Sequence, residues 1–179
     1  MSWVPVSRIK HLDKALTRNV RFFFAKNISA VPICIFEIQT AVSAMPLMFM
    51  STDGPIEFYG LVGLEKSQNL LLTDDGHWYS SFVPAAIKCH PFASVSADNE
   101  AKTLLIEEES DLIVDRKDGE PLFNEDGSAT KLLQDTVKQL KRLEGDRLAN
   151  QQACSLLNDF DLFQPFEFNY QRNTNAFLI

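Results

Sequence analysis

Few of the groups that announce a reaction or a location are present in this sequence. It holds three cysteines, three histidines, three tyrosines and two tryptophans in 179 residues. Cys34, Cys89 and Cys154 are odd in number and far apart, with no Cys-x-x-Cys pair. That spacing fits neither a disulfide framework nor a zinc site, and reads as buried thiols in a reducing cytosol. No apolar run approaches the ~18 residues that a membrane span needs. Met1 to Arg21 contains no apolar run of signal-peptide length, so a cytoplasmic location is expected. Lys and Arg number 17 against 24 Asp and Glu, a net charge of −7. The basic footprint of a nucleic-acid binder is therefore missing. There is no Gly-x-Ser-x-Gly, no Gly-rich phosphate loop and no His-Glu-x-x-His. No cofactor is implied. No repeat, linker or low-complexity stretch divides the chain, and a single domain over residues 1–179 is expected.

What remains is an ordinary globular composition with two biases. Hydrophobic residues make up 45% and charged residues 23%, which excludes intrinsic disorder. A chain of 20.3 kDa buries about 70% of its surface on folding and needs neither disulfides nor metal to do so. The first bias is charge placement. Residues 1–50 carry a net charge of +4 and residues 98–126 a net of −8. This reads as a solvated acidic face with a basic N-terminal strip packed near it, or as an acidic patch that meets a basic partner. The second bias is phenylalanine, with fourteen residues. Five of them, Phe160, Phe163, Phe166, Phe168 and Phe177, crowd the last twenty positions.

The pattern predicts an α+β fold, mostly antiparallel β-hairpins with a C-terminal helical segment packed on them. Val31 to Ile38 reads as a buried strand or its start. Residues 39–45 read as a helical turn stopped by Pro46. Leu47–Met50 and Ile56–Leu64 flank an Asp-Gly turn and form a hairpin. Leu70–Thr73 is a short strand. Ser80–Lys88 is a candidate helix with Pro84 near its first turn. Phe92–Ala97 and Lys102–Glu107 form a second hairpin. The clearest helix starts after Ser128 or Thr130 as N-cap, with Leu133, Val137 and Leu140 on one face. The pattern slips at Glu144-Gly145-Asp146 and then resumes, giving one long helix or two helices broken at Gly145.

Three constellations have chemical potential. His11-Leu12-Asp13 has the His-x-Asp spacing of facial-triad iron oxygenases, with His77 as third ligand and Lys88 facing a 2-oxoacid. A surface His near a helix start competes with that reading. Trp78 beside His77, with His90 before Pro91, offers an indole and imidazole platform. The plainer reading is a core Trp beside a solvent-facing His. Glu107, Glu108, Glu109 and Asp111 supply hard oxygen atoms, but lack the loop order of a calcium site, and successive strand residues point to opposite faces. No metal site and no nucleophile–base pair is assigned.

Three blocks resemble the bacterial SapC family. They are Pro32–Phe49 (PICIFEIQTAVSAMPLMF), Leu61–Ala93 (LVGLEKSQNLLLTDDGHWYSSFVPAAIKCHPFA) and Gly119–Leu143 (GEPLFNEDGSATKLLQDTVKQLKRL). Their order and spacing match over roughly residues 3–168. Met45 stands where a Tyr is usual, and Cys89-His90 replaces a basic-aromatic pair before Pro91-Phe92. The family usually continues further, so a short or truncated member is expected. The resemblance implies association with paracrystalline surface layers, and relatives lie near genes for flavin-dependent tryptophan halogenases. It carries over no catalytic residues. An unrelated permease shares the name, and the missing membrane span sets it aside.

The candidate binding set from the residues and the blocks is Trp78, His90, Lys88, Asn69 and Glu107, with no catalytic and no metal residue. The function expected is that of an accessory or binding protein linked to the surface layer or envelope. The alternative is a metal-dependent oxygenase, which requires His11, Asp13 and His77 to converge on one metal. The Phe-rich C-terminus is expected to dock on its own domain, or to engage a protein partner or a second copy.

Overall fold

The computed structural model describes residues 2–51, 54–95 and 103–164. Nine short strands form three antiparallel three-stranded sheets among the described residues. The first sheet has the order β1-β7-β6, from β1 (Trp3–Pro5), β7 (Thr103–Glu107) and β6 (Phe92–Val95). The second has β2 (Lys14–Thr17) between β8 (Ile113–Asp115) and β9 (Gly119–Pro121). The third has β5 (Glu57–Leu61) between β3 (Ala30–Pro32) and β4 (Leu47–Met50). Three one-turn helices, α1 (Arg8–His11), α2 (Ile38–Ala41) and α3 (Ala85–Lys88), lie between strands. A single long helix, α4 (Lys131–Asp159), closes the described chain.

The basic N-terminal strip packs against the acidic stretch because it supplies strands to both of the latter's sheets. Val4 pairs with Ile106 in β7, and Ala15 lies between Val114 and Pro121. Lys14 meets Asp115 at 3.1 Å in an exposed pair worth little by itself. Arg116 contributes more, since its guanidinium donates to the carbonyls of Leu12 and Phe123 and ties β2 to the turn after β9.

Two apolar cores result. One gathers Val31, Ile33, Met45, Phe58, Val62, Trp78 and Ile87 around the third sheet. The other gathers Phe92, Ile106, Leu122, Phe123, Leu133 and Leu140 around the first two. α3 stands at the seam, with Ile87 in one core and Cys89, just past its end, in the other. α4 crosses the seam. Its first half buries Leu133 and Leu140, and its second half buries Asn150 and Cys154.

Both expected hairpins form, as β4–β5 with Met50 opposite Glu57 and β6–β7 with Val95 opposite Thr103. Asp53 of the first turn and residues 96–102 of the second lie outside the described residues. The strand expected over Val31 to Ile38 stops at Pro32. Glu37 folds back to accept from the Cys34 N–H and holds the following residues in a tight turn that runs into α2. Leu70–Thr73 makes only an isolated bridge between Leu72 and Trp78. The helix expected over Ser80–Lys88 is confined to α3, with Pro84 as its cap. β1, β2, β8 and β9 carry too few residues for a period-2 pattern to register.

α4 settles the alternative at Gly145 in favour of one helix. Thr130 is its N-cap residue, yet its hydroxyl donates to the carbonyls of Pro121 and Leu122 rather than capping the helix. A Cβ built on Gly145 meets nothing within 4 Å. The Gly145→Ala variant is therefore expected to gain about 0.5–1 kcal/mol of stability. Urea denaturation monitored by circular dichroism checks this. A loss of stability would show that α4 needs a flexible point there.

Candidate functional site

The seam between the cores is not fully filled. An apolar groove of about 260 Å³ opens under α4. Its walls are Ile33 and Phe58 from one core, Ala86 from α3, and Phe92, Leu140 and Leu143 from the other core side. Cys34 and Cys89 also line it. Along α4 the residues at the seam change from buried Leu133 and Leu140 to half-buried Glu144, exposed Arg147 and buried Asn150, and these polar residues line the groove. The slip in periodicity at residues 144–146 is the sequence signal of that change.

The polar side of the groove is organised around Glu57. Its carboxylate accepts from the Gln151 amide and from the Tyr59 hydroxyl, and lies 3.5 Å from Arg147. Arg147 also donates to Glu144 at 3.3 Å. Asn150, buried, donates to the Ile33 carbonyl at 3.3 Å and joins the helix to the strand end opposite. Behind the wall, Glu37 is 6% exposed. Its two oxygens accept from the backbone N–H groups of Cys34 and Ala85, at 3.1 and 2.8 Å.

Burial and nearby carboxylates act in the same direction on three thiols and one phenol. Burial, then Glu37 and Asp146, push the Cys34 thiol far up. Burial and Glu37 push Cys89 up to about 11. Burial and Glu57 raise Cys154 and Tyr59, with Arg147 opposing weakly at Tyr59. The thiols are protonated at neutral pH and lack the electropositive setting of a reactive cysteine.

The five residues singled out from the sequence fall in three places. Trp78 sits in the first core, edge-on to Phe22 at 5.9 Å, and its indole N–H donates to the Phe82 carbonyl. Asn69 donates to the Ala25 carbonyl and accepts from the Leu71 N–H. Both thus hold the segment that carries Phe22, Phe24 and Ala25. Lys88 is exposed at the end of α3.

His90 and Glu107 do come together. The His90 ring stacks on Phe24 at 3.7 Å between centroids and takes the Trp3 ring edge-on at 6.4 Å. Its Nε2 lies 3.3 Å from Ser110 Oγ and 3.6 Å from the Glu107 carboxylate. A nucleophile–base–orienter relay needs the hydroxyl and the carboxylate on opposite ring nitrogens. Here both address Nε2, and Ser110 Oγ accepts from the Leu112 N–H.

The converging ligand set required for an oxygenase is not formed. His11 is buried, accepts from the Ser7 N–H at Nδ1 and meets Glu108 at 3.0 Å through Nε2. His77 lies on an exposed turn, where Asp75 contacts Nδ1 and Arg21 contacts Nε2. Among the described residues, no group of three or more His, Cys, Asp or Glu is placed to hold a metal ion.

The architecture is that of an α+β protein with a groove at a two-core seam. The chain belongs to the SapC family, whose model matches residues 6–177. No curated protein and no solved structure gives a significant match. No helix among the described residues is long and apolar enough to cross a membrane.

Burial holds the His90 imidazole below its ordinary value of 6.5, against the opposing pull of Glu107 and Asp111. The folded state then resists a proton that the unfolded chain accepts. Stability is complete above pH 6.5 and is expected to fall as pH drops through the range just below it. Asp75 and Asp126, held below the carboxylate value of 3.8, act only in stronger acid. Urea midpoints measured between pH 7 and pH 5 should decline for the natural protein and stay level for His90→Gln. An equal decline in both would place the proton elsewhere.

Proposed function

We propose that the protein is an accessory binding protein, and that its binding site is the groove at the seam. The groove itself carries this reading: an open apolar space lined by both cores, with a small polar set at one side. Such concave, mainly apolar spaces with few polar groups are where small ligands bind. The histidines support a binding role rather than a catalytic one, since His11 and His77 have both ring nitrogens engaged within the fold and the hydroxyl and carboxylate at His90 share one nitrogen. Membership of the family supports a surface-layer or envelope setting, with the protein acting from the cytoplasmic side.

The same reading takes residues 1–179 as one unit, because α4 contributes side chains to both sides of the seam. It also takes the Phe-rich C-terminus as the contact with a protein partner or a second copy. Phe160 is 74% exposed, and Phe163 leans on Phe49 at 4.9 Å. Phe166, Phe168 and Phe177 lie outside the described residues.

The test is a titration with 4-phenylbutanol, an uncharged probe, followed by backbone amide resonances. Shifts are expected at Ala86, Ala93 and Leu143, and should vanish in Leu143→Trp, which fills the groove. Ala93→Leu provides a second, gentler block. Saturable shifts that avoid the groove, or an absence of binding, would overturn the reading.

A further inference from the structure

The charges around the groove are one-sided. Glu57 and Glu144 both contact the guanidinium of Arg147. Asp146, on the next turn face, accepts from the Ile35 N–H beside Cys34. Glu37 stands behind the Cys34 wall with only backbone N–H groups on its oxygens. Arg142 is laid over the Phe36 ring at 3.7 Å, outside the groove lining. Among the described lining residues, Glu57 and Glu144 are acidic and Arg147 is basic. The interior reports the same sign, because carboxylates help to push up the thiols of Cys34, Cys89 and Cys154 and the Tyr59 hydroxyl.

We infer that the groove takes a small organic amine, with its apolar body between Phe58, Phe92 and Leu143 and its ammonium group at Glu57 and Glu144. This rests on the reading of the groove as the binding site. Size supports a small ligand: benzene fills a cavity of about 150 Å³, so the space here suits roughly ten non-hydrogen atoms. Charge supports the ammonium. A carboxylate head would meet Glu57 and Glu144, and would have to take Arg147 from two partners already bound to it. An ammonium leaves the Arg147 contacts in place and adds a further donor to carboxylates, which accept at two oxygens each. In a partly buried site this sign preference is much stronger than in water.

Three probes of matched size separate the outcomes: 4-phenylbutylamine, 4-phenylbutanol and 4-phenylbutyrate. Affinities are read by calorimetry and location by the amide resonances of Ala86, Ala93 and Leu143. The amine is expected to bind at least about tenfold more tightly than the carboxylate, with the alcohol between. The double variant Glu57→Gln, Glu144→Gln should bring amine and carboxylate to within about twofold of each other. Should its folding suffer, Glu144→Gln alone is expected to narrow the gap. Alcohol or carboxylate binding in the groove as tightly as the amine would overturn the amine assignment and leave the groove reading standing. Failure of all three probes would overturn both.

Discussion

The Glu37 carboxylate fixes the start of α3, the helix at the seam, against the first core. It is buried, and it accepts from two N–H groups: Cys34, just past β3 of the first core, and Ala85, at the start of α3. Each hydrogen bond to a charged group of this kind is worth about 1.5–3 kcal/mol net. Loss of the carboxylate would also leave two buried donors unmet, at about 1–3 kcal/mol each. The constraint is positional as well. With Cys34 and Ala85 fixed to one side chain, Ile87 is directed into one core and Cys89 into the other. Phe92 then enters β6 beside the groove rather than filling it.

The second constraint is the mixed inner face of α4. Leucines at 133 and 140 anchor its start, and polar side chains at 147 and 150 span the seam, where an apolar side chain would close the groove. Asn150 gains a backbone partner there, and Arg147 gains two carboxylates, so the polar groups facing inward are paired. The result is an apolar space with one organised charged edge among the described residues, two glutamates and an arginine. A preformed space with a defined charge favours a ligand by sign and size without large rearrangement on binding.

Much of this was legible in the sequence. Hairpins bounded by turn residues and a helix with an i, i+4, i+7 stripe produced the α+β class and the position of its main elements. The N-terminal strands escaped because three- and four-residue segments leave no period to count, although charge placement did point residues 1–50 toward residues 98–126. The turn after Pro32 was hidden by composition: VPICIFEI is β-forming throughout, and only the lone Glu37 within it betrays a buried carboxylate that bends the chain. The site was the least legible part. Reading for chemistry selects His, Trp and acidic runs, and of the residues it singled out the fold places His90 and Glu107 side by side. The groove instead depends on Glu57, Glu144, Arg147 and Asn150, drawn from β5 and one helix, whose proximity arises from the fold. Their trace in the sequence was the slip at 144–146, which looked like a broken helix and marks a change of lining.

Buried carboxylates at the seam make one quantity directly measurable, the acidity of Cys89. Its alkylation by iodoacetamide can be followed by peptide mass spectrometry from pH 7 to pH 10.5. With the thiol pushed up to about 11 by burial and Glu37, the rate should climb steadily across the whole range with no plateau. A rate that levels off just above pH 9, as for an ordinary thiol, would contradict a dry, negatively charged seam.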